Sequence, residues 1–292
     1  MKNQRKAYLF ALSAILCWCT IGSATKLSLR YIDFVQLLLF SNLVAVLVLF
    51  CTLWGQKNLA LLASFSRRAW FRSAFLGLLN PFLYYIVLFV AYDLLQAQEA
   101  GTLNYIWPIL LVLLSIPLLH QKISLWSIAA ILISFTGLFI ISTHGDILGL
   151  SFSSPLGVLL AFGSAVFWAL YWILNMKDPR DDVAKLFLNF LFGFLYILIV
   201  YLARAEFSIP SWQGIAGSVY LGIFEMGLTF LLWLRALSYS VTTAKVSNLI
   251  YISPFLSLII IRFAVGETIL VSTVTGLVFI VAGIILQQYL RK

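Results

Sequence analysis

The sequence predicts an all-α integral membrane protein of ten transmembrane helices, built as two inverted five-helix repeats. Three observations predict it. Of 292 residues, 63% are hydrophobic and only 10% charged, and mean hydropathy is +1.04. A water-soluble domain carries roughly 25% charged residues, so this chain has too little charge to cover a surface facing water. The apolar residues fall into ten windows: 7–25, 33–54, 71–92, 98–118, 123–142, 155–175, 184–203, 213–234, 242–262 and 269–290. Each approaches the roughly 20 residues that a helix needs to cross about 30 Å of hydrocarbon. The third observation is that the second half of the chain echoes the first.

The elements follow in order. Lys2, Arg5 and Lys6 precede an apolar run in which Gly22-Ser23-Ala24 mimics a leader-peptide cleavage region. The run is as long as a full span and has a counterpart later in the chain, so it is expected to stay as the first helix. The windows are continuously apolar rather than alternating, which excludes a transmembrane β-barrel. Turn signals separate them: Gly55-Gln56-Lys57-Asn58, Thr143-His144-Gly145-Asp146, Lys177-Asp178-Pro179-Arg180-Asp181-Asp182 and Ser208-Ile209-Pro210-Ser211.

Charge sets the orientation. With the N-terminus inside, only Lys26, Arg30, Arg204 and Arg262 of the 19 basic residues fall in outer connections. Asp33, Asp93, Glu99, Asp146, Glu206 and Glu267 lie near outer ends. This asymmetry is the positive-inside pattern, and it predicts a bacterial-type inner-membrane location with both termini cytoplasmic. It also accounts for the net charge of +9 without nucleic acid as a partner, since the basic residues sit in short gaps and form no continuous face. Cys17, Cys19 and Cys51 all lie in apolar runs with no CxxC spacing, and His120 and His144 sit near helix ends. No metal site, disulfide framework or cofactor is expected.

Shifting the chain by 146 residues lays Leu103, Tyr105 and Pro108 on Leu249, Tyr251 and Pro254, and Ala130 and Gly137 on Gly276 and Gly283. Trp18 meets Trp168 at a slightly different shift. The expected repeats are residues 1–146 and 147–292, five helices each. An odd number of spans turns the second copy over in the membrane. Inverted halves can exchange shapes and so open a midplane site alternately to each side. The small residues two turns apart in the fifth and tenth helices suit close packing. Packing within one subunit and a homodimer contact both stay open.

Polar groups inside these windows call for a reason. Glu225 lies mid-window and shares a face with Gly222 and Thr229; it is read either as a cavity carboxylate for a substrate amine or a proton, or as a paired structural carboxyl. Lys245 stands where Glu99 stands in the first half. Both are expected to snorkel to the interface, unless Lys245 turns inward towards Glu225 or a substrate carboxylate. Asn42, Asn80, Asn104, Asn189 and Asn248 suit interhelical hydrogen bonds. Ala100, Asn104 and Trp107 share one face, and Pro108 and Pro254 free the carbonyls of Asn104 and Ile250. Trp54, Trp70, Trp126 and Trp212 read as interfacial anchors. Trp18, Tyr84, Tyr85, Tyr105, Trp107, Trp168, Tyr171 and Tyr251 lie deeper, either as core or as the wall of a cavity for a flat or amphipathic molecule. The candidate substrate-binding set is Trp18, Tyr84, Asn104, Tyr105, Trp107, Trp168, Glu225, Lys245, Asn248 and Tyr251.

These features together resemble the drug/metabolite transporter superfamily, of the ten-helix EamA type. The resemblance spans nearly the whole chain and is carried by the two five-helix halves, by Asn104-Tyr105-Ile106-Trp107-Pro108, and by the proline-containing ninth helix ending near Gly266-Glu267. The segment from Gln98 to Pro108 is similar to that of the superfamily's aromatic amino-acid exporters. The resemblance implies that Tyr105 and Trp107 line a central cavity opposite Trp168, and that the protein exports amino acids or related small metabolites as a secondary transporter. The stretch from Glu225 to Pro254, which holds Glu225 and Lys245, is not matched to those exporters. Efflux of drugs or cationic metabolites is the alternative. An intramembrane enzyme or a receptor is the reading from another class, and HExxH, GxSxG and P-loop signatures are all missing from the sequence. The expected partners are a small-molecule substrate and the lipid bilayer.

Overall fold

The computed structural model describes residues 3–119, 125–146, 154–204, 208–240 and 248–289. Its described secondary structure is helical. Helix α1 (Gln4–Ser28) starts where the Asn3 side chain accepts from the Lys6 amide at 3.1 Å. Helix α2 (Phe34–Gly55) starts on Asp33, which accepts from the Val35 amide at 2.9 Å. Such caps satisfy amide donors that have no intrahelical partner. A short α3 (Ala60–Ser64) leads to the third window, which is composite. It consists of α4 (Arg67–Gly77), a π-helical segment Leu78–Leu83, and α5 (Tyr84–Leu94). The fourth window breaks after α6 (Ala97–Asn104) and resumes as α7 (Trp107–Leu119).

Helix α8 (Leu125–Ser142) completes the first half. The second runs through α9 (Pro155–Met176), with proline in its first turn, and α10 (Asp182–Arg204). The eighth window repeats the composite pattern: α11 (Trp212–Leu221), a π-helical segment Gly222–Gly227, and α12 (Leu228–Tyr239). A 3₁₀ turn (Asn248–Ile252) precedes α13 (Ser253–Ala264), and α14 (Val271–Tyr289) ends the described chain. Among the described residues, seven helical stretches are long and apolar enough to span a bilayer. Ala129–Ser142, Ser253–Ala264 and Val271–Leu286 are shorter apolar helices in the fifth, ninth and tenth windows.

The halves pack crosswise. Helix α1 lies against α12 and α13, and its counterpart α9 lies against α5 and α7. The two remaining pairs join each helix to its own equivalent, α2 to α10 and α8 to α14. At the α8–α14 seam, a Cβ on Gly137 would overlap the Gly276 carbonyl, and one on Gly283 would overlap the Ala130 carbonyl. These residues approach in antiparallel order, and each contact is the other's mate under the 146-residue shift. A pseudo-two-fold axis perpendicular to the helices produces that pattern, which is the inverted repeat seen in its contacts. The small-residue face is therefore used inside the subunit. The third and eighth windows repeat the device: Gly77 abuts the Asn189 carbonyl of α10, and Gly222 abuts the Ser41 carbonyl of α2.

At the face where the chain starts, the α9–α10 turn is braced against α4. Asp178 is buried. Its carboxylate accepts from Arg180 Nη2 at 2.6 Å and lies 3.4 Å from Arg72 Nε, while Arg180 also donates to Ser73 Oγ and the Ala69 carbonyl. Burial alone would raise the Asp178 carboxyl, but the Arg180 hydrogen bonds and the two guanidinium charges outweigh it and hold it below the usual carboxylate range. A depressed folded value stabilises above the unfolded one, and that contribution is lost as pH falls through the depressed value. Asp178→Asn is expected to cost about 2 kcal/mol, since it leaves buried donors facing a neutral amide. Thermal melts at neutral pH should show the loss, and the gap between variant and wild type should close in strong acid.

Candidate functional site

The two composite helices shape the centre of the molecule. Asn80 has extended backbone angles (φ −149°, ψ 122°), as expected of a residue before proline. The π-helical turns re-aim the side chains that follow, a device frequent at functional sites. In the first half this presents Tyr84 and Tyr85 to the interior; in the second it presents Glu225. Tyr85 Oη donates to Glu225 Oε1 at 2.9 Å, joining the two composite helices across the pseudo-axis. Glu225 Oε2 is buried and has no hydrogen-bond partner among the described residues.

Around this pair lies a cavity of about 150 Å³, the size of an apolar cavity that takes up benzene. Of the candidate set, Trp18, Tyr84, Asn104, Tyr105, Trp107, Trp168 and Glu225 all line it. Asn104 Nδ2 donates to Ser164 Oγ at 2.8 Å, and its Oδ1 lies 3.4 Å from Tyr84 Oη. The Tyr84 and Trp168 rings are 4.6 Å apart, and Trp18 and Trp233 rings 5.3 Å apart. These are the same crosswise contact, first helix of one half on third helix of the other. The carbonyl of Ile250, which Pro254 was expected to free, accepts from the Tyr105 hydroxyl. Lys245 lies outside the described residues. The backbone of Asn248 and Tyr251 forms the 3₁₀ turn, and their side chains also lie outside the described set.

Sequence reasoning missed several lining residues. Trp172 stands one turn beyond Trp168, and Trp233 two turns beyond Glu225; both line the cavity, as do Tyr92, Gln98 and Ser257. The i+4 relation of Trp172 was a usable signal. Tyr171, grouped with the deep aromatics, is buried instead beside Asn189, whose Nδ2 lies 3.4 Å from its hydroxyl. Asn104 and Asn189 thus make interhelical hydrogen bonds, whereas both polar side-chain atoms of buried Asn42 lack a partner among the described residues.

A polar seal borders the cavity on the face opposite the chain's start, where Ala97 and Gln98 belong to its wall. Glu267, in the α13–α14 turn, accepts from the Ala97 and Gln98 amides at 2.8 and 3.2 Å. A carboxylate is favoured at a helix N-terminus by both the free amides and the helix dipole. The Gln98 side chain donates to the Thr268 carbonyl at 2.8 Å and accepts from the Leu270 amide at 3.0 Å. Glu99, expected to snorkel, is buried instead: Oε1 lies 2.5 Å from His144 Nε2, and Oε2 accepts from the Gln96 amide. Its position in a capping box, with the histidine at hand, removes the reason to reach for water. Lys26 donates to the Tyr92 and Leu95 carbonyls at the end of α5.

Crosswise repeats around a central polar and aromatic cavity define the class as a repeat-built helical membrane fold. The sequence model of the EamA-like transporter family matches residues 5–143 and 155–287, and the chain belongs to that family. An uncharacterized transporter of Clostridium kluyveri is 30% identical over 60% of this chain, and the chain covers 58% of that relative's length. The uncharacterized transporter YvbV of Bacillus subtilis is 26% identical over 72% of the chain and 69% of its own. The aromatic amino acid exporter YddG of Salmonella typhimurium is 25% identical over 68% and 74% respectively. A solved crystal structure overlays with a TM-score of 0.69, covering 99% of both chains at 21% identity; this likeness shows the fold.

Proposed function

We propose that the protein is a secondary transporter that exports amino acids or related small metabolites across an inner membrane by alternating access. The observation that carries the reading is the central cavity, whose wall is drawn from both repeats and combines tyrosine, tryptophan, asparagine and one carboxylate. Ligand sites are mostly apolar with a few placed polar groups, and this wall has that character. The likeness to an amino acid exporter supports the size and aromatic character of the substrate. Residues 1–146 and 147–292 act as the two exchanging units. Trp18, Tyr84, Asn104, Tyr105, Trp107, Trp168, Glu225, Lys245, Asn248 and Tyr251 form the substrate site, and the basic connections and both termini face the cytoplasm.

Liposomes containing the purified protein should accumulate or release labelled aromatic amino acids or their amine relatives above protein-free liposomes. Trp168→Ala removes the ring whose centroid lies 4.6 Å from that of Tyr84 and should cut that flux about tenfold, the equivalent of roughly 1.4 kcal/mol of lost contact, compared at equal amounts of folded protein on size exclusion. Flux no greater than the protein-free control for every member of the panel would refute the carrier reading.

A further inference from the structure

We infer that the cavity selects substrates that carry an amine and no carboxylate: a flat, apolar body bearing one positive charge, held against Glu225. The inference rests on the carrier reading and departs from its amino-acid part: of the amino acids and related metabolites proposed above, it keeps the decarboxylated amines and drops the amino acids themselves. A carboxylate buried in a membrane protein is costly unless a cation or a proton meets it. Glu225 is 6% exposed. One of its oxygens takes the Tyr85 hydroxyl at 2.9 Å, and the other is unpartnered among the described residues and belongs to the cavity wall. The vacant acceptor is the feature a bound ammonium would satisfy.

The rest of the wall explains the second half of the statement. Among the described residues lining the cavity there is no lysine, arginine or histidine. Lys26, the basic residue of α1 near this level, is committed to the Tyr92 and Leu95 carbonyls. Against the described lining residues, a ligand carboxylate would therefore add a second negative charge beside Glu225 with only neutral amides and hydroxyls to receive it. A carboxylate is well held by arginine or lysine, and like charges at this range in a dry site disfavour each other strongly. The aromatic wall supplies what an organic cation needs besides a counter-charge. Tyr84 lies over Trp168, Trp168 lies 5.7 Å from Trp172, and cations are drawn to the faces of such rings.

The test uses the full chain in detergent and three probes of one shape: 2-phenylethylamine, phenylalanine and 3-phenylpropionate. Isothermal titration should give the amine about tenfold tighter binding than the zwitterion, a difference of roughly 1.4 kcal/mol, and no measurable binding of the anion. This ranking is read on the unmodified protein and needs no variant. Glu225→Gln keeps an acceptor for Tyr85 and should erase the amine's advantage. Equal or tighter binding of phenylalanine overturns the inference, as does failure of the amine to bind, or an amine preference that survives Glu225→Gln. Phenylalanine binding that disappears in Lys245→Met would overturn it too, by identifying a cation for the carboxylate. Flux in liposomes is a separate readout. Amine-selective binding without flux refutes the carrier reading alone, and flux of phenylalanine with no amine preference refutes this inference alone.

Discussion

Gly137→Leu is expected to lower the melting temperature of the protein by roughly 10 °C. In lipid, helices gain little from hiding apolar surface from one another, because the lipid tails are just as apolar; they associate through close packing and hydrogen bonds. The α8–α14 seam depends on backbone-to-backbone approach, since a Cβ at position 137 would overlap the Gly276 carbonyl and crowd Ile280. A leucine forces the helices apart along their whole contact, including Ser134 Oγ to the Ile280 carbonyl. Overpacking costs typically 1–3 kcal/mol and occasionally more, and here the obstruction is main chain, which cannot rotate away. A loss of about 3 kcal/mol or more would lower the melting temperature by roughly 10 °C. Gly163→Leu is the control, because nothing lies within 4 Å of a Cβ there. Scanning fluorimetry and size exclusion in detergent measure both. Equal melting of Gly137→Leu and wild type would show that the seam is not a close-packed contact.

That seam is legible in the amino-acid sequence, because small residues recur at equal spacing in both halves and a helix face of glycines in an apolar run has few uses. The kinks at Tyr105 and at the Asn248–Ile252 turn are legible for a similar reason, since proline removes a known hydrogen bond at a known place. The π-helical segments are not. The stretch Arg67–Leu94 reads as a single candidate span, and hydropathy reports solvent preference without reporting how many residues fill a turn. Each π turn shifts the angular register of everything after it, so the face that Tyr85 and Tyr92, two turns apart, present to the cavity cannot be counted through from the residues before the turn. Glu99 failed for another reason. Its partner His144 lies 45 residues away, and only the α6–α8 packing brings them together.

Loosening the polar seal should make the cavity more reachable from the face it borders. Gln98 is the central member: its side chain lines the cavity on one side and clamps the Thr268 carbonyl and Leu270 amide on the other. Those two bonds tie the first repeat to the second, as do the Glu267 bonds to the Ala97 and Gln98 amides. A neutral hydrogen bond contributes about 1 kcal/mol net, and one to a charged group about 1.5–3. Gln98→Ala combined with Glu267→Ala therefore removes at least about 2 kcal/mol from the closed arrangement, while the open arrangement, in which these groups meet water, loses nothing comparable. A ligand or mutation shifts a two-state equilibrium only by its differential effect on the states, so the open population should rise more than about tenfold. With Cys17, Cys19 and Cys51 replaced by serine, Gly101→Cys supplies a single thiol that reports on access, since this position sits in the cavity wall one turn inside Gln98. A membrane-impermeant thiol reagent applied to that face should label it at least about tenfold faster in the double variant. The paired control carries the same Gly101→Cys with Gln98 and Glu267 intact, and its labelling sets the reference rate. Unaltered labelling at position 101 would mean that the glutamine and glutamate hold the loop in place without governing entry.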